Sequence, residues 1–194
     1  IFVEEIFPVL TPQGFDPGHP FPHISSLSLN LAIQLRDPAG EEHFARLKVP
    51  AVLPRLVPLK RSSGGERRDG TIPHHHYFVW LERLVIAHLD ELFPGMTILG
   101  AHPFRVIRDA DIEIQELEAA DLLETMSERV YERQFGAVVR LETAAEMGEA
   151  TRRVLVSNLE ADLRDVVSLA EPLGLGGLAQ LTEIDRYELK YPPC

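Results

Sequence analysis

Between Leu27 and Leu35 the chain alternates without a break: Leu27, Leu29, Leu31, Ile33 and Leu35 interleave with Ser28, Asn30, Ala32 and Gln34. A β-strand turns successive side chains to opposite faces, so this period of two lays five aliphatic groups on one face. The stretch reads as a core strand, and the rest of the chain must supply a cover for it. It also bears on membrane insertion. Pro17–Leu35 is the longest uncharged run, just long enough to span a bilayer, but its three prolines, its polar residues and its alternation argue for a strand and against a transmembrane helix.

Around this strand the pattern extends in both senses. Arg36-Asp37-Pro38-Ala39-Gly40 is turn chemistry, and Phe44–Val49 alternates again with Ala45, Leu47 and Val49 on one side, which predicts a hairpin. Pro50, Pro54 and Pro58 punctuate Pro50–Leu59, so that run is expected to be an extended edge or connector. Lys60–Thr71 has no apolar residue and is expected to be a mobile loop. Tyr77–Trp80 has strand composition, and Leu81, Leu84, Val85, His88, Leu89 and Leu92 recur at helical spacing until Pro94-Gly95. Ile98–Ile107 reads as a strand. From Gln115 to Arg133, the stripe Ala119, Leu122, Leu123, Met126 and Val130 predicts the longest helix. Then follow a strand at Ala137–Leu141, a helix at Met147–Leu159 with Ala150, Val154 and Leu155 inward, a strand at Val166–Ala170 and a short helix at Gly174–Ile184. Paired strands leading into alternating strands and helices, with no repeat, predict an α+β fold. The expectation is one domain holding a mixed, largely antiparallel sheet and three to four helices.

Composition sets the outer limits. A chain of 194 residues with 45% hydrophobic and 25% charged residues has room for one domain with its own core. Nineteen Lys plus Arg against thirty Asp plus Glu leave a net charge of −11, which opposes binding to nucleic acid or anionic membrane except through a local basic patch. The single cysteine, Cys194, permits no intrachain disulfide and no cysteine-based zinc site, and fits a reducing cytoplasm. Ile1–Leu10 carries Glu4 and Glu5 and lacks the basic start of a secretory signal.

Four features bear on chemistry. His74-His75-His76 would place His74 and His76 on one face of a strand, as two ligands of a metal site, but no further ligand stands at metal spacing. The bland reading, a solvent-facing end of the basic loop, is favoured, and a metal-dependent enzyme built on His74–His76 is kept as an alternative. His88 is read as a packed histidine bonded to a backbone carbonyl. Gly174-Leu175-Gly176-Gly177-Leu178-Ala179 fits GxGxxG/A but lacks the βαβ context, so it reads as a turn and helix start. Asp109–Glu128 holds eight acids and no base, the wetted face of a helix. There is no GxxxxGK[ST] loop and no GxSxG elbow.

The basic residues are more informative. Arg46, Lys48, Arg55, Lys60, Arg61, Arg67 and Arg68 lie close together with Glu66 as the only acid among them. Arg55, Lys60, Arg61, Arg67 and Arg68 are therefore candidates for an anion-facing edge, with exposed cations kept for solubility and edge protection as the equal alternative.

Several strings taken in order resemble one family. They are Phe7-Pro-Val-Leu-Thr-Pro, Asp16-Pro-Gly-His-Pro-Phe-Pro-His-Ile-Ser-Ser-Leu-Ser-Leu-Asn-Leu-Ala, Val49-Pro-Ala-Val-Leu-Pro-Arg, Ala87-His-Leu-Asp-Glu-Leu-Phe-Pro-Gly-Met, Phe104-Arg-Val-Ile-Arg-Asp-Ala-Asp, Phe135-Gly-Ala-Val-Val-Arg-Leu-Glu, Pro172-Leu-Gly-Leu and Leu189-Lys-Tyr-Pro-Pro. Together they resemble the middle, or head, domain of the long polyphosphate kinases. The resemblance covers nearly all of residues 1–194, with 1–15 as lead-in from a preceding domain and 187–194 as the start of a linker to catalytic domains.

That resemblance implies a cytoplasmic parent enzyme, able to sit peripherally at the membrane, which moves the terminal phosphate of ATP reversibly onto inorganic polyphosphate. Magnesium and a phosphohistidine intermediate are implied with it. The family's nucleophile belongs to a His-x-Lys motif in the C-terminal domains. None of the eight histidines here, His19, His23, His43, His74, His75, His76, His88 and His102, has Lys two places on. The chain is thus expected to be an excised, noncatalytic piece, an expectation that the absent initiator Met and the stop after Tyr191-Pro192-Pro193 match. It carries no catalytic, cofactor-binding or metal residue of its own. Its implied partners are the other domains of the polypeptide and a second subunit of a homo-oligomer, with ATP, Mg²⁺ and polyphosphate belonging to the parent. A polyanion-binding module using Arg46–Arg68 is the alternative.

Overall fold

The computed structural model describes residues 2–15, 21–59, 76–109, 136–184 and 190–191. Among the described residues six strands make the main sheet: β1 (Pro12–Phe15), β2 (Leu29–Arg36), β3 (Glu42–Lys48), β6 (Thr97–Arg108), β7 (Val138–Ala144) and β8 (Val166–Leu169), in the spatial order β1-β3-β2-β6-β7-β8. Every pairing is antiparallel except β7 with β8. That one parallel step needs a crossover, which α3 (Glu149–Leu159) supplies. A second sheet pairs β4 (Leu56–Pro58) with β5 (Phe78–Trp80). The fold is α+β with a mixed, mostly antiparallel sheet, and the β2–β3 hairpin has the expected register, Leu31 opposite Leu47 and Ile33 opposite Ala45. None of the described helices is long and apolar enough to cross a membrane.

The sheet is covered on both sides, which the alternation of β2 and β3 makes possible. One face carries Leu31, Ile33, Leu35, Ala45, Leu47 and Val49 beneath Phe2, Ile6, Leu81, Val85 and Leu89; the last three come from α1 (Leu81–Ile86) and α2 (Leu89–Leu92). The other carries Ala32, Phe44, Phe104, Val106 and Leu141 beneath Ile24, Met147, Leu155 and Leu159. Full burial of each large apolar side chain contributes about 1.5–3 kcal/mol before conformational entropy is counted.

Three expectations need correction. Leu27 is not the first residue of the core strand: its φ is +63° and its side chain is 58% exposed, because the chain turns into β2 there and the strand begins at Leu29. The single helix read from Leu81 to Leu92 is two short helices. His88 Nδ1–H donates to the Leu84 carbonyl at 2.9 Å while the His88 amide turns to Val85 O at 3.0 Å, so the side chain takes the acceptor that helical continuation requires. The histidine is packed as read, its ring stacked on Phe2 at 4.1 Å. In α3 the buried stripe is Thr151, Leu155 and Leu159, a clean i, i+4, i+8 set, which turns Ala150 to solvent. Gly174–Ile184 is a 3-10 helix over Leu175–Glu183. The predicted Lys60–Thr71 loop and Gln115–Arg133 helix lie outside the described residues.

Candidate functional site

Residues 51–55 reach β4 through a turn and bends, and Leu81 N–H donates to Arg55 O at 2.8 Å, so the connector and the start of α1 are tied side by side. This places Arg55 next to Glu82 in the first turn of α1. Arg55 Nη2 lies 2.6 Å from Glu82 Oε1 and Nε 3.2 Å from Glu82 Oε2, a two-pronged pair. The same guanidinium donates to the carbonyls of Leu173 and Gly174 and lies 4.8 Å over the Trp80 ring. Leu56 N–H donates to Gln180 Oε1 at 2.9 Å and closes the junction.

Two of the three glycines in the 174–177 run, Gly174 and Gly177, are explained by this junction. Gly174 has φ +61°, a left-handed turn that leads into the 3-10 helix, and a Cβ on Gly177 would stand 2.8 Å from Arg55 Cδ. The glycine pattern brings backbone onto an arginine side chain.

Beside it opens a depression of about 180 Å³ lined by Leu27, Leu29, Arg55, Arg105, Leu173, Gly174, Leu175 and Gly176. Arg105 Nη1 pairs with Glu142 Oε2 at 3.2 Å and Nε donates to Leu27 O at 3.1 Å, while Arg140 Nε reaches Glu142 Oε1 at 3.0 Å. Both lining guanidiniums therefore already meet carboxylates, and the lining holds no nucleophile or general base. The arrangement fastens β4, α1 and the 3-10 helix to the sheet.

Among the residues singled out from sequence, Arg55 is described, and Lys60, Arg61, Arg67 and Arg68 lie outside the described residues, as do His74 and His75. His76 is exposed. Arg46 and Lys48 of the same basic run project from the opposite face of the sheet to Arg105, since Arg46 shares the parity of Phe44 and Arg105 is opposite to that of Phe104. Among the described residues, Asp37, Glu41 and His43 bring ligand-type atoms within 4.8 Å of one another. This cluster is part of the β2–β3 turn: His43 Nε2 sits 3.1 Å from Asp37 Oδ2 and the Glu41 amide donates to Asp37 Oδ1 at 2.8 Å. Those bonds, the histidine's first, hold the Asp37 carboxyl below its ordinary value.

Sequence reasoning missed Glu82, Glu142 and Gly177 as partners of these arginines. Their pairings join residues 27 and 37 positions apart in the two ion pairs, which no local period reveals. Glu82 left one trace, an acid three before Val85 on the border of the apolar stripe.

The comparisons with known proteins agree with this architecture. Residues 1–181 match the family model described as the polyphosphate kinase middle domain. The chain is similar to polyphosphate kinase of Prosthecochloris aestuarii, 49% identical over 193 residues, covering 99% of this chain and 26% of that one. It is likewise similar to polyphosphate kinase 1 of Chlorobaculum tepidum, 48% identical over 193 residues, covering 99% and 27%. The crystal structure of polyphosphate kinase from Porphyromonas gingivalis superposes with a TM-score of 0.72 at 26% identity, over 99% of this chain and 26% of that one. The chain thus spans about a quarter of the length of the curated relatives it matches.

Proposed function

The chain belongs to the polyphosphate kinase family, as its middle domain, and from that membership we propose that it is the noncatalytic support of an enzyme moving the terminal phosphate of ATP reversibly onto inorganic polyphosphate. The match over 99% of the chain at 49% identity carries the reading. In this proposal the reaction passes through a phosphohistidine held elsewhere in the polypeptide, which splits one phosphoryl transfer into two easier ones. No histidine here has a lysine two places on, the couple that the family resemblance assigns to that role. ATP and Mg²⁺ are assigned to the remaining domains, because the lining of the Arg55 depression offers no free carboxylate or general base.

A contacting role has its own support. In the 3-10 helix, residues three apart eclipse one another, and Leu175, Leu178 and Leu181 are 60%, 38% and 40% exposed. Leu27, 58% exposed, borders the same depression as Leu175. An apolar row beside a rigid junction suits docking to another domain of the polypeptide or to a second subunit.

The test is incubation of the 194-residue chain, and separately of the full polypeptide carrying it, with ATP labelled in its γ-phosphate. Acid-labile label on histidine is expected in the full polypeptide alone. Label in the isolated chain would overturn the noncatalytic role, and a full polypeptide that makes no polyphosphate would overturn the kinase reading.

A further inference from the structure

Arg46 is 6% exposed in the middle of β3, and both groups that hold it are neutral. Its Nε donates to Asn30 Oδ1 at 2.8 Å and its Nη1 to Gln13 Oε1 at 2.7 Å, so side chains of β2 and β1 hold the guanidinium from either side. Among the described residues Lys48, two residues on and on the same face, reaches the Ser25 hydroxyl at 3.3 Å. Among the described residues no carboxylate pairs with either cation, in contrast to Arg55, Arg105 and Arg140, which all pair with glutamates. Burial pushes the Arg46 guanidinium below its ordinary value.

A buried cation without a counter-charge is costly, and a chain with thirty acids had many residues to place there. Instead the two cations open into a depression of about 180 Å³ lined by Val9, Thr11, Gln13, Arg46, Lys48 and Pro50. The lining offers a guanidinium, an ammonium, an amide and a hydroxyl, and no acid. That volume is below the roughly 300–1,000 Å³ of sites for larger ligands and suits a small anion.

We propose that this depression between β1 and β3 is a binding site for one phosphoryl-class oxoanion, either free phosphate or a single unit of a longer phosphate chain. Arg46 supplies fixed forked donors and Lys48 a mobile point charge. Gln13 and Asn30 hold the guanidinium in position before the anion arrives, so little freedom is lost on binding. This site narrows the basic run seen in the sequence to two of its members, and it stands whether or not the domain takes part in turnover.

The test is a titration of the chain with inorganic phosphate, and separately with tripolyphosphate, read from the Arg46 Nε–H nuclear magnetic resonance at ionic strength held constant with sodium chloride. A saturable shift is expected, weakened roughly tenfold in Lys48→Gln by loss of one charge-assisted bond. Lys48 is exposed, so that variant keeps the fold. Tripolyphosphate binding roughly tenfold tighter than phosphate identifies a chain unit as the ligand; similar affinities identify free phosphate. An equal shift with chloride alone, or full affinity in Lys48→Gln, overturns the site. In the full polypeptide, phosphate is expected to slow acetylation of Lys48. A Lys48 already shielded before any anion is added also overturns it, since a protein group then fills the depression.

Discussion

Arg55 and Glu82 stand 27 residues apart in the chain and meet at 2.6 and 3.2 Å, with Glu82 2% and Arg55 16% exposed. Through this pair the connector before β4, the first turn of α1 and the carbonyls of Leu173 and Gly174 become one unit. The remaining contacts of the junction depend on where that guanidinium lies.

Glu82→Gln leaves a largely buried guanidinium without its counter-charge. Breaking such a pair costs about 3–5 kcal/mol, and well-packed apolar replacement of both partners costs far less. Urea unfolding is expected to show Glu82→Gln much less stable than the double variant Arg55→Met with Glu82→Leu. A single variant within about 0.5 kcal/mol of the parent, the range of ordinary surface changes, would remove the pair from this role.

Gly177→Ala tests the same junction from the other side. The added methyl would stand 2.8 Å from Arg55 Cδ, and that side chain is anchored by Glu82 and two carbonyls. Overpacking of this kind costs about 1–3 kcal/mol. Gly176→Ala, with nothing within 4 Å of its added methyl, is the control and is expected to be near neutral. Equal stability of the two variants would contradict the close approach.

Thr151 carries the opposite prediction. Its side chain is 1% exposed on the sheet-facing stripe of α3, and its hydroxyl has no hydrogen-bond partner among the described residues. Thr151→Val keeps the shape and removes the unsatisfied group, so thermal unfolding is expected to report a gain of about 1 kcal/mol. A loss of stability would mean that the hydroxyl is bonded.

Two half-buried groups set opposing slopes with pH. Burial depresses the His102 imidazole below 6.5, outweighing the pull of Glu146. The folded state then binds fewer protons than the unfolded one just below 6.5, so this group's contribution falls as pH drops through that window. Burial raises the Glu171 carboxyl above 4.5 although Arg83 lies 2.6 Å away. There the folded state binds more protons, and the contribution falls as pH rises above 4.5. Urea midpoints between pH 4.5 and 6.5 are expected to rise more steeply with pH in Glu171→Gln and less steeply in His102→Gln. Identical slopes in all three proteins would rule out both shifts.

Local pattern was enough for the hairpin, the apolar face of β2 and β3 and the α+β class, because side-chain period and turn chemistry act over a few residues; the burial of Ala32 and Phe44 on the other face came only with the fold. The whole-length run of family strings was legible for a similar reason: it lies in residue identity, without geometry. The break at His88 was not, since it depends on which of two donors takes the Leu84 carbonyl. Leu27 fits the alternation perfectly and still lies outside the strand, because the turn into β2 takes precedence over local periodicity.

The candidate sites divide in the same way. Composition marked the basic run from Arg46 to Arg68, but charge along a sequence does not say which cations find acids. Strand register puts Gln13 opposite Arg46 and Asn30 opposite Lys48, while the fold of the connector puts Glu82 against Arg55. One arginine is thereby neutralised, and the other, among the described residues, is left with amides. Electrostatic pairing depends on distance in space, and only the folded chain determines that distance.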